Sequence, residues 1–358
     1  MHWLSDFIAA GGVVLNGIPQ GIFAMSLGFA IFPTAFSFIL VSIVNGFFLS
    51  PVPVSFQAES LALTGNLGNT RRERTSIIFG GSVIMAVIGL TSSLTKIVSL
   101  LGRPIIDGMM AGVGVMLAKI AVDMAKKEKK TGWGSIALAA VCYLITKNLV
   151  WTIIVSVIFS TLFADVFLHY RKELPKNITV RRFIFTKPAF NFKVIRGALG
   201  LACLNIGANI SYGLITGQMT HIHPNPVKLN VLTSGQALAD MGTSLLGGAP
   251  VETIISATGS APEPVLAGII MMVIMAIILL LGWLPKMGKF IPAASIAGFL
   301  FILGAVVTFP ENASLAFSSA HKVISALVLI ITAIFDPFSG LVVGGVLKFV
   351  LPIFHLEV

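Results

Sequence analysis

Long apolar segments alternate along the whole chain with short breaks of Gly, Pro or charged residues. The pattern predicts about fourteen segments that enter a membrane. Spans are predicted at 9–31, 33–50, 76–94, 104–123, 133–147 and 149–168, and again at 197–216, 231–247, 263–283, 289–309, 321–335 and 338–355. Two segments, 51–66 and 248–259, are shorter than the ~20 residues that a helix needs to cross a bilayer. The prediction is therefore an all-α polytopic membrane protein.

Composition supports this class, because 56% of the residues are hydrophobic and 11% are charged, against about a quarter charged in soluble domains. We expect a multi-pass protein of the plasma or inner membrane, in contact with lipid. The net charge of +10 is assigned to loops at the membrane surface, so no nucleic-acid partner is expected.

Several classes of chemistry lack their motifs in this sequence. There is no GxxxxGK[ST] loop for ATP hydrolysis, the histidines do not cluster as metal ligands, and no catalytic group is visible. We therefore expect no enzyme activity, no cofactor and no metal.

The segments fall into two sets of seven, which predicts two structural repeats. The first repeat is 1–170, a basic connector is 171–196, and the second repeat is 197–358. An odd number of segments in each repeat places the two halves in opposite orientations. The prediction is thus a 7+7 inverted repeat whose third and tenth segments are short half-helices.

Residues at matching positions support the repeat. Asn16 and Gln20 in the first span, like Asn205 and Asn209 in the eighth, place two amides on one helix face. The short segments start at Pro53-Val54 and Pro250-Val251, and each contains a Glu. The stretches RPIIDGMMAGVGVML and FIPAASIAGFLFILG both place small residues after a proline, which lets transmembrane backbones approach closely.

Two half-helices that meet near the midplane would point their N-terminal N–H groups at one place. Side chains of the short segments would complete a substrate site there: Gln57, Glu59, Ser60, Glu252, Thr253 and Ser256. Asn16, Gln20, Asn205 and Asn209 would face them, unless these amides only join helices. Glu59 and Glu252 are candidates to carry a coupled proton, although Glu252 could instead stabilise its own helix dipole. Asp240 has two possible roles, either a structural one or as a residue that lines the core.

At these residues the chain resembles the nucleobase–cation symporter-2 family, the xanthine/uracil permeases, and within it the adenine/guanine/hypoxanthine permease branch. The resemblance rests on PVPVSFQAESLAL, RPIIDGMMAGVGVML, ITKNLVWTIIVSVIFSTLF, NIGANISYGLITG, SLLGGAPVETIISATG and FIPAASIAGFLFILG. It implies a 7+7 fold divided into core and gate domains. It also implies a substrate held between the third, tenth and eighth segments, proton-coupled uptake, and a possible homodimer through the gate domain.

The sequence departs from that family at the expected carboxylates. The family's acid in the eighth span falls at about Ala208, with Asn209 beside it and Tyr212 one turn on. Its acid in the tenth segment falls at about Ser256. Counted from the prolines, however, Ser256 is equivalent to Glu59, so the acid is present in the other half of the repeat.

Loop charges predict an orientation that differs from the family's. Roughly seventeen Lys and Arg residues lie in alternate loops, against about five in the others, which places the N-terminus outside the cell. The resembled family has its N-terminus inside. We hypothesise that the protein is inserted upside-down, with its first repeat in the role of the second. A missed or additional span would explain the same charge bias.

The leading expectation from sequence is a secondary transporter of a purine, a pyrimidine or a similar heterocycle, coupled to protons. The alternative is an anion transporter of the SulP type, which resembles this chain in fold and in the stretch FFLSPVPVSFQAESLAL. Paired half-helix N-termini suit an anion. Glu59 and Glu252 disfavour anion binding unless they are protonated. The soluble C-terminal domain that is common in that family is also expected to be absent, which disfavours the SulP alternative.

Overall fold

The structure is a computed structural model that describes residues 2–147, 149–168, 183–220, 222, 226–288, 292–318 and 321–351. Most of these residues are helical. Six helices in the described part are long and apolar enough to cross a membrane: Trp3–Ser26, Ile31–Phe48, Arg71–Leu90, Arg103–Lys127, Phe192–Met219 and Ala294–Phe317. The chain is a multi-pass membrane protein, as its composition predicts. Residues 169–182, at the start of the predicted connector, lie outside the described residues.

Helix bounds in the first half follow the predicted segments closely. The elements are α1 His2–Ser26, α2 Ile31–Phe48, β1 Val54–Ser55, α3 Ala58–Leu67, α4 Arg71–Leu90, α5 Leu94–Leu101, α6 Arg103–Lys127, α7 Lys129–Thr146 and α8 Leu149–Leu168. α4 begins earlier than predicted because Thr70 and Glu73 form a capping box around its first turn. α5 is a short additional helix that the hydropathy pattern does not predict.

The second half departs further from the prediction. Its elements are α9 Phe192–Met219, α10 Leu229–Leu245, β2 Glu252–Thr253, a 3-10 helix Ala257–Ser260, α11 Pro264–Leu280, α12 Trp283–Gly288, a 3-10 helix Ala293–Ile296, α13 Ala297–Phe301, a π-helical turn Ile302–Thr308, α14 Phe309–Phe317, α15 Lys322–Ile334 and α16 Pro337–Val350. The predicted 289–309 span is therefore too short.

Helical structure continues through Pro310, where the sequence predicts an end. Proline lacks an N–H and its ring crowds the preceding turn, so a regular α-helix is not kept through it. The wider π-helical turn Ile302–Thr308 directly precedes this position and accommodates it. Residues up to Phe317 are consequently helical and lie within the protein instead of forming a loop.

Contacts divide the long helices into two groups. In the first group, α2 packs against α10 and α11, α4 against α9 and α10, and α1 against α11. In the second group, α6 packs against α14, α15 and the π-helical turn, α7 against α8, and α15 against α16. α3 lies between the groups, in contact with α1, α4 and α9 on one side and α6 on the other.

Close backbone approach on small residues holds the second group together, which confirms the role predicted for these faces. A Cβ added at Gly108 would lie 2.7 Å from the Ser325 carbonyl oxygen, and one at Gly304 would lie 2.5 Å from the Gly114 carbonyl oxygen. The two proline-initiated stretches thus contact each other directly. Residues with any side chain there would separate the helices.

Basic loops lie together at one end of the structure. Arg71 donates to the Gly28 carbonyl and Arg72 to the Lys187 carbonyl at 3.0 Å. The Ile184 N–H donates to the Leu246 carbonyl at 3.0 Å. The arrangement places these loops on one side of the membrane. The predicted orientation of that side in the cell stays a prediction.

Gly304→Ala should destabilise the protein, because the new Cβ would clash with the Gly114 carbonyl. Overpacking of this kind costs roughly 1–3 kcal/mol, which exceeds the ~1 kcal/mol that Ala gains over Gly in a helix. Thermal unfolding in detergent should show a lower midpoint. Gly12→Ala is the matched control, since no atom lies within 4 Å of its added Cβ. An equal midpoint for both variants would contradict the close approach.

Candidate functional site

Two extended segments meet in the middle of the first group. β1 and β2 pair antiparallel, with Val54 opposite Thr253 and Ser55 opposite Glu252. Prolines at 51 and 53, and Gly247-Gly248-Ala249-Pro250, end the preceding helices because proline cannot continue the helical hydrogen bonds. Backbone groups freed inside a membrane need protein partners. The strand pair supplies part of them.

Side chains from α2 and α10 satisfy the rest of this backbone. The Asn45 amide donates to the Val52 carbonyl at 2.7 Å, and the Gln236 amide donates to the Val251 carbonyl at 3.0 Å. The Asp240 carboxylate accepts from the Val251 N–H at 3.1 and 3.2 Å. Asp240 therefore positions β2 instead of facing a substrate. Asn45 and Gln236 are not recognisable as backbone partners from sequence, since an amide in an apolar helix fits a helix–helix contact equally well.

Glu59 lies in the first turn of α3 and is almost fully buried, at 2% exposure. The Tyr212 hydroxyl donates to its Oε1 at 3.5 Å, and its Oε2 has no hydrogen-bond partner among the described residues. Gln57, just before α3, donates from its amide to the Thr253 carbonyl at 3.4 Å. The start of α3 is thereby fixed to β2.

Glu252 and Asn209 are buried and do not line the cavity next to Glu59. Glu252 Oε1 has no hydrogen-bond partner in the described part of the chain, and the nearby Ser60 hydroxyl donates to the Gln57 carbonyl at 3.1 Å. Asn209 accepts from the Thr253 hydroxyl at 2.6 Å and donates to the Thr233 hydroxyl at 3.1 Å. These two hydrogen bonds connect α9 to α10 and to β2.

The predicted second half-helix does not form. After β2, the chain makes a single 3-10 turn, Ala257–Ser260, with the Ser256 hydroxyl accepting from the Thr258 N–H at 3.2 Å. Pro262 and Pro264 follow at once, and proline both lacks an N–H and disfavours helix in the residue before it. Of the two short segments, α3, with ten residues, is the one that presents an α-helix N-terminus to the site in the described part of the chain.

A cavity of about 320 Å³ lies next to Glu59, and we call it the Glu59 cavity. Of the predicted site residues, Gln57, Glu59 and Tyr212 border it, together with the predicted facing amides Asn16 and Gln20. The others are buried without being among the residues that line it: Ser60, Asn205, Ala208, Asn209, Glu252, Thr253 and Ser256. Their assignment to substrate binding stays a prediction.

The opposite wall comes from residues that sequence reasoning missed. Thr308, Glu311 and Asn312 line the Glu59 cavity from the end of the π-helical turn and the first turn of α14. The predicted span 289–309 places Thr308 at a span end and Glu311 and Asn312 in a loop, because proline at 310 is expected to stop a helix. Glu311-Asn312, a polar pair inside an otherwise apolar stretch, is the sequence signal for their role.

The chemistry of the Glu59 cavity is that of carboxyls and neutral hydrogen-bonding groups. Glu59 and Glu311 line it, and its described lining contains no Lys or Arg. The Gln20 amide nitrogen donates to Asn16 Oδ1 at 3.4 Å. The buried Gln20 Oε1 has no hydrogen-bond partner among the described residues. A ligand here meets amide donors and acceptors, a phenol and the N-terminal end of α3. No group of three or more His, Cys, Asp and Glu that could hold a metal occurs in the described part of the chain.

No protein-family model matches the sequence, and no curated protein matches it. Solved structures do match. The transmembrane domain of a cyanobacterial bicarbonate transporter, BicA, has a TM-score of 0.67 at 13% identity, over 96% of this chain and 97% of that domain. The fold resembles that of SulP/SLC26 anion transporters.

Two further structures agree. SLC26A9 has a TM-score of 0.69 at 13% identity over 99% of this chain, which spans 66% of that protein. The murine Slc26a9 anion transporter, in the inward-facing state, has a TM-score of 0.63 at 15% identity, over 98% of this chain and 68% of that one.

The expected membership of the nucleobase symporter family, and with it nucleobase transport, is therefore wrong: the structural likeness points to the SulP/SLC26 fold instead. The motifs behind the resemblance are proline breaks and small-residue faces, and here both serve the backbone. Pro53 and Pro250 open the strand pair, and the glycines allow close helix contact. Such features follow from the fold, whatever the substrate.

Asp240→Ala should destabilise the protein because it leaves the Val251 N–H unsatisfied. An unpaired buried donor costs roughly 1–3 kcal/mol, so we expect a lower unfolding midpoint in detergent. Asp240→Asn keeps an acceptor oxygen and should stay near wild type. Asp123→Ala, at a side chain 54% exposed, is the control for loss of an acid. If Asp240→Asn were as unstable as Asp240→Ala, the carboxylate charge and not the acceptor would be what β2 requires.

Proposed function

We propose that the protein is a secondary transporter of a small inorganic or organic anion that works by alternating access. The observation that carries the proposal is the likeness to the BicA transmembrane domain over 96% of the chain. The Glu59 cavity lies where the two helix groups and α3 meet, which is where a mobile pair of domains would hold a substrate.

We infer that the fold is a 7+7 inverted repeat, and the register of the strand pair supports it. Ser55 and Glu252 each lie two residues after the prolines that start the short segments, Pro53 and Pro250. Two strands related by a twofold axis must place one pair of equivalent residues opposite each other. Ser55 and Glu252 are that pair, so the axis would pass between them.

In this proposal, the two helix groups are the core and gate domains. α3, β1 and β2 belong with the core, while the π-helical turn and α14 form the gate side of the Glu59 cavity. Glu59 then faces the gate, whereas Glu252 lies on the axis within the core. The two acids would have different roles, with Glu59 alone in reach of a transported ligand.

An anion in the Glu59 cavity must overcome two carboxyls without help from a cationic side chain among the described lining residues. Two unscreened negative charges in a cavity of low dielectric would repel an anion by several kcal/mol. A proton on Glu59 removes one of them and makes the acid a donor. The first turn of α3 adds N–H groups and the positive end of its dipole. Binding of anion and proton would thus be coupled, which gives symport.

Purified protein in liposomes should take up one or more of a panel of labelled bicarbonate, sulfate, chloride and small carboxylates. An inward proton gradient should increase uptake. Protein-free liposomes provide the baseline for leakage. Uptake of a labelled nucleobase but of no anion would contradict the proposal.

Glu59→Gln should abolish the pH dependence of uptake while leaving uptake itself measurable, because Gln mimics the protonated acid permanently. The measurement is initial uptake across a series of external pH values. Glu263→Gln, at an exposed acid that does not line the cavity, should keep the wild-type profile. A Glu59→Gln variant with unchanged pH dependence would remove Glu59 from coupling, and Glu311→Gln would then be the variant to compare.

A further inference from the structure

A second cavity, of about 660 Å³, lies at the other end of α3. We call it the Lys119 cavity. α3 borders it through Leu63, Asn66 and Leu67, and α6 through a single face that includes Lys119, Asp123 and Lys127. The C-terminal end of α15, Ala333 to Phe335, closes the remaining side. Like the Glu59 cavity, it is therefore bordered by α3 and by helices of the second group.

The two cavities lie at opposite ends of α3. Thr308, Glu311 and Asn312 border the Glu59 cavity from the start of α14, the helix that leads to the N-terminal end of α15. The Lys119 cavity lies at the other end of α15, whose 13 residues span roughly 20 Å. Glu59 and Leu67 are likewise at opposite ends of α3. A path from one side to the other would pass along α3.

Lys119 is unusual because it lies inside a membrane-spanning helix. It precedes Lys127, the last residue of α6, by eight positions, which is roughly 12 Å along the helix. No hydrogen bond or ion pair to its ammonium group is found within the described residues. The acid nearest along the helix face, Asp123, pairs with Lys126 at 3.5 Å. Its side chain is exposed at the wall of the cavity, so a ligand that enters the cavity can reach the ammonium group.

Charge along the wall of the Lys119 cavity is net positive. Lys119 and Lys127 contribute two positive charges and Asp123 one negative charge, which is already paired. Asn66 adds an amide with both a donor and an acceptor. The Glu59 cavity has the reverse character, since its described charged groups are acids.

We propose that the Lys119 cavity is a second anion-binding site, at the entrance to the transport path on the side opposite the Glu59 cavity, with Lys119 as its charged ligand-binding group. The ligand class is a small anion such as bicarbonate, sulfate or chloride. That this anion is the transported one rests on the proposed function. The cationic site itself does not, and it can be tested without transport.

Reactivity of a cysteine at Asn66 tests the site directly. Asn66→Cys is made in a background where Cys142 and Cys203 are replaced by Ala, and its reaction rates are measured with two methanethiosulfonates, the anionic sulfonatoethyl and the cationic trimethylammonium-ethyl reagent. A positive cavity favours the anionic reagent. Adding Lys119→Gln should lower the anionic-to-cationic rate ratio by about fivefold or more, because the lost charge acts on the two reagents in opposite directions.

Two controls separate this charge from general effects. Lys129→Gln removes an exposed lysine at the start of α7 that does not line the cavity, and it should leave the ratio unchanged. Lys119→Arg keeps the charge and should also preserve it. An unchanged ratio in Lys119→Gln, or no reaction of the cysteine with either reagent, would overturn the proposal.

Transport then decides whether the bound anion is the substrate. Lys119→Gln should raise KM several-fold for an anion supplied from this side, with a much smaller change in kcat, and Lys129→Gln should not. A wild type that transports no anion, combined with a Lys119-dependent rate ratio, would contradict the proposed function and leave the cationic site in place. Normal anion transport combined with an unchanged rate ratio would support the proposed function and overturn the cationic site.

Discussion

The arrangement depends on one constraint: the chain leaves the helical conformation twice inside the membrane, and the backbone groups freed there must find partners. β1 and β2 satisfy each other in part, and α2 and α10 complete the set with Asn45, Gln236 and Asp240. Because these partners come from neighbouring helices, the first group of helices is locked around the strand pair. The start of α3, and with it Glu59, is placed by this locking.

Much of the polar chemistry in the sequence therefore serves the backbone. The Gln57 amide donates to the Thr253 carbonyl, and the Ser256 hydroxyl accepts from the Thr258 N–H. A sequence reading assigns such residues to a ligand because a polar side chain in an apolar segment has the same pattern in both cases. Glu59 could be found from sequence, since an acid after a proline break cannot be satisfied by lipid. Asn45 could not, because a lone amide in a helix does not reveal the backbone that it contacts.

Span positions were predictable where helices are regular and failed where a proline was accommodated. The 289–309 prediction ended at the residue before Pro310, which is the expected effect of proline on a helix. The π-helical turn changes the outcome because it widens the backbone just before the ring. Gly304, within this turn, packs against Gly114, a contact between residues far apart in sequence. Glu311 follows the proline directly and lines the cavity.

In the proposed repeat, the two short segments differ in charge, and this difference bears on the direction of transport. α3 is a helix with Glu59 in its first turn, whereas the stretch that would be equivalent is one 3-10 turn with Ser256 in that place. One end of α3 therefore borders a cavity lined by acids, and the other borders a cavity lined by lysines. An anion moving along α3 would leave a site that attracts it without a proton and reach one that accepts it only with a proton. In the proposed cycle, protonation at Glu59 would thus gate the step between the two sites.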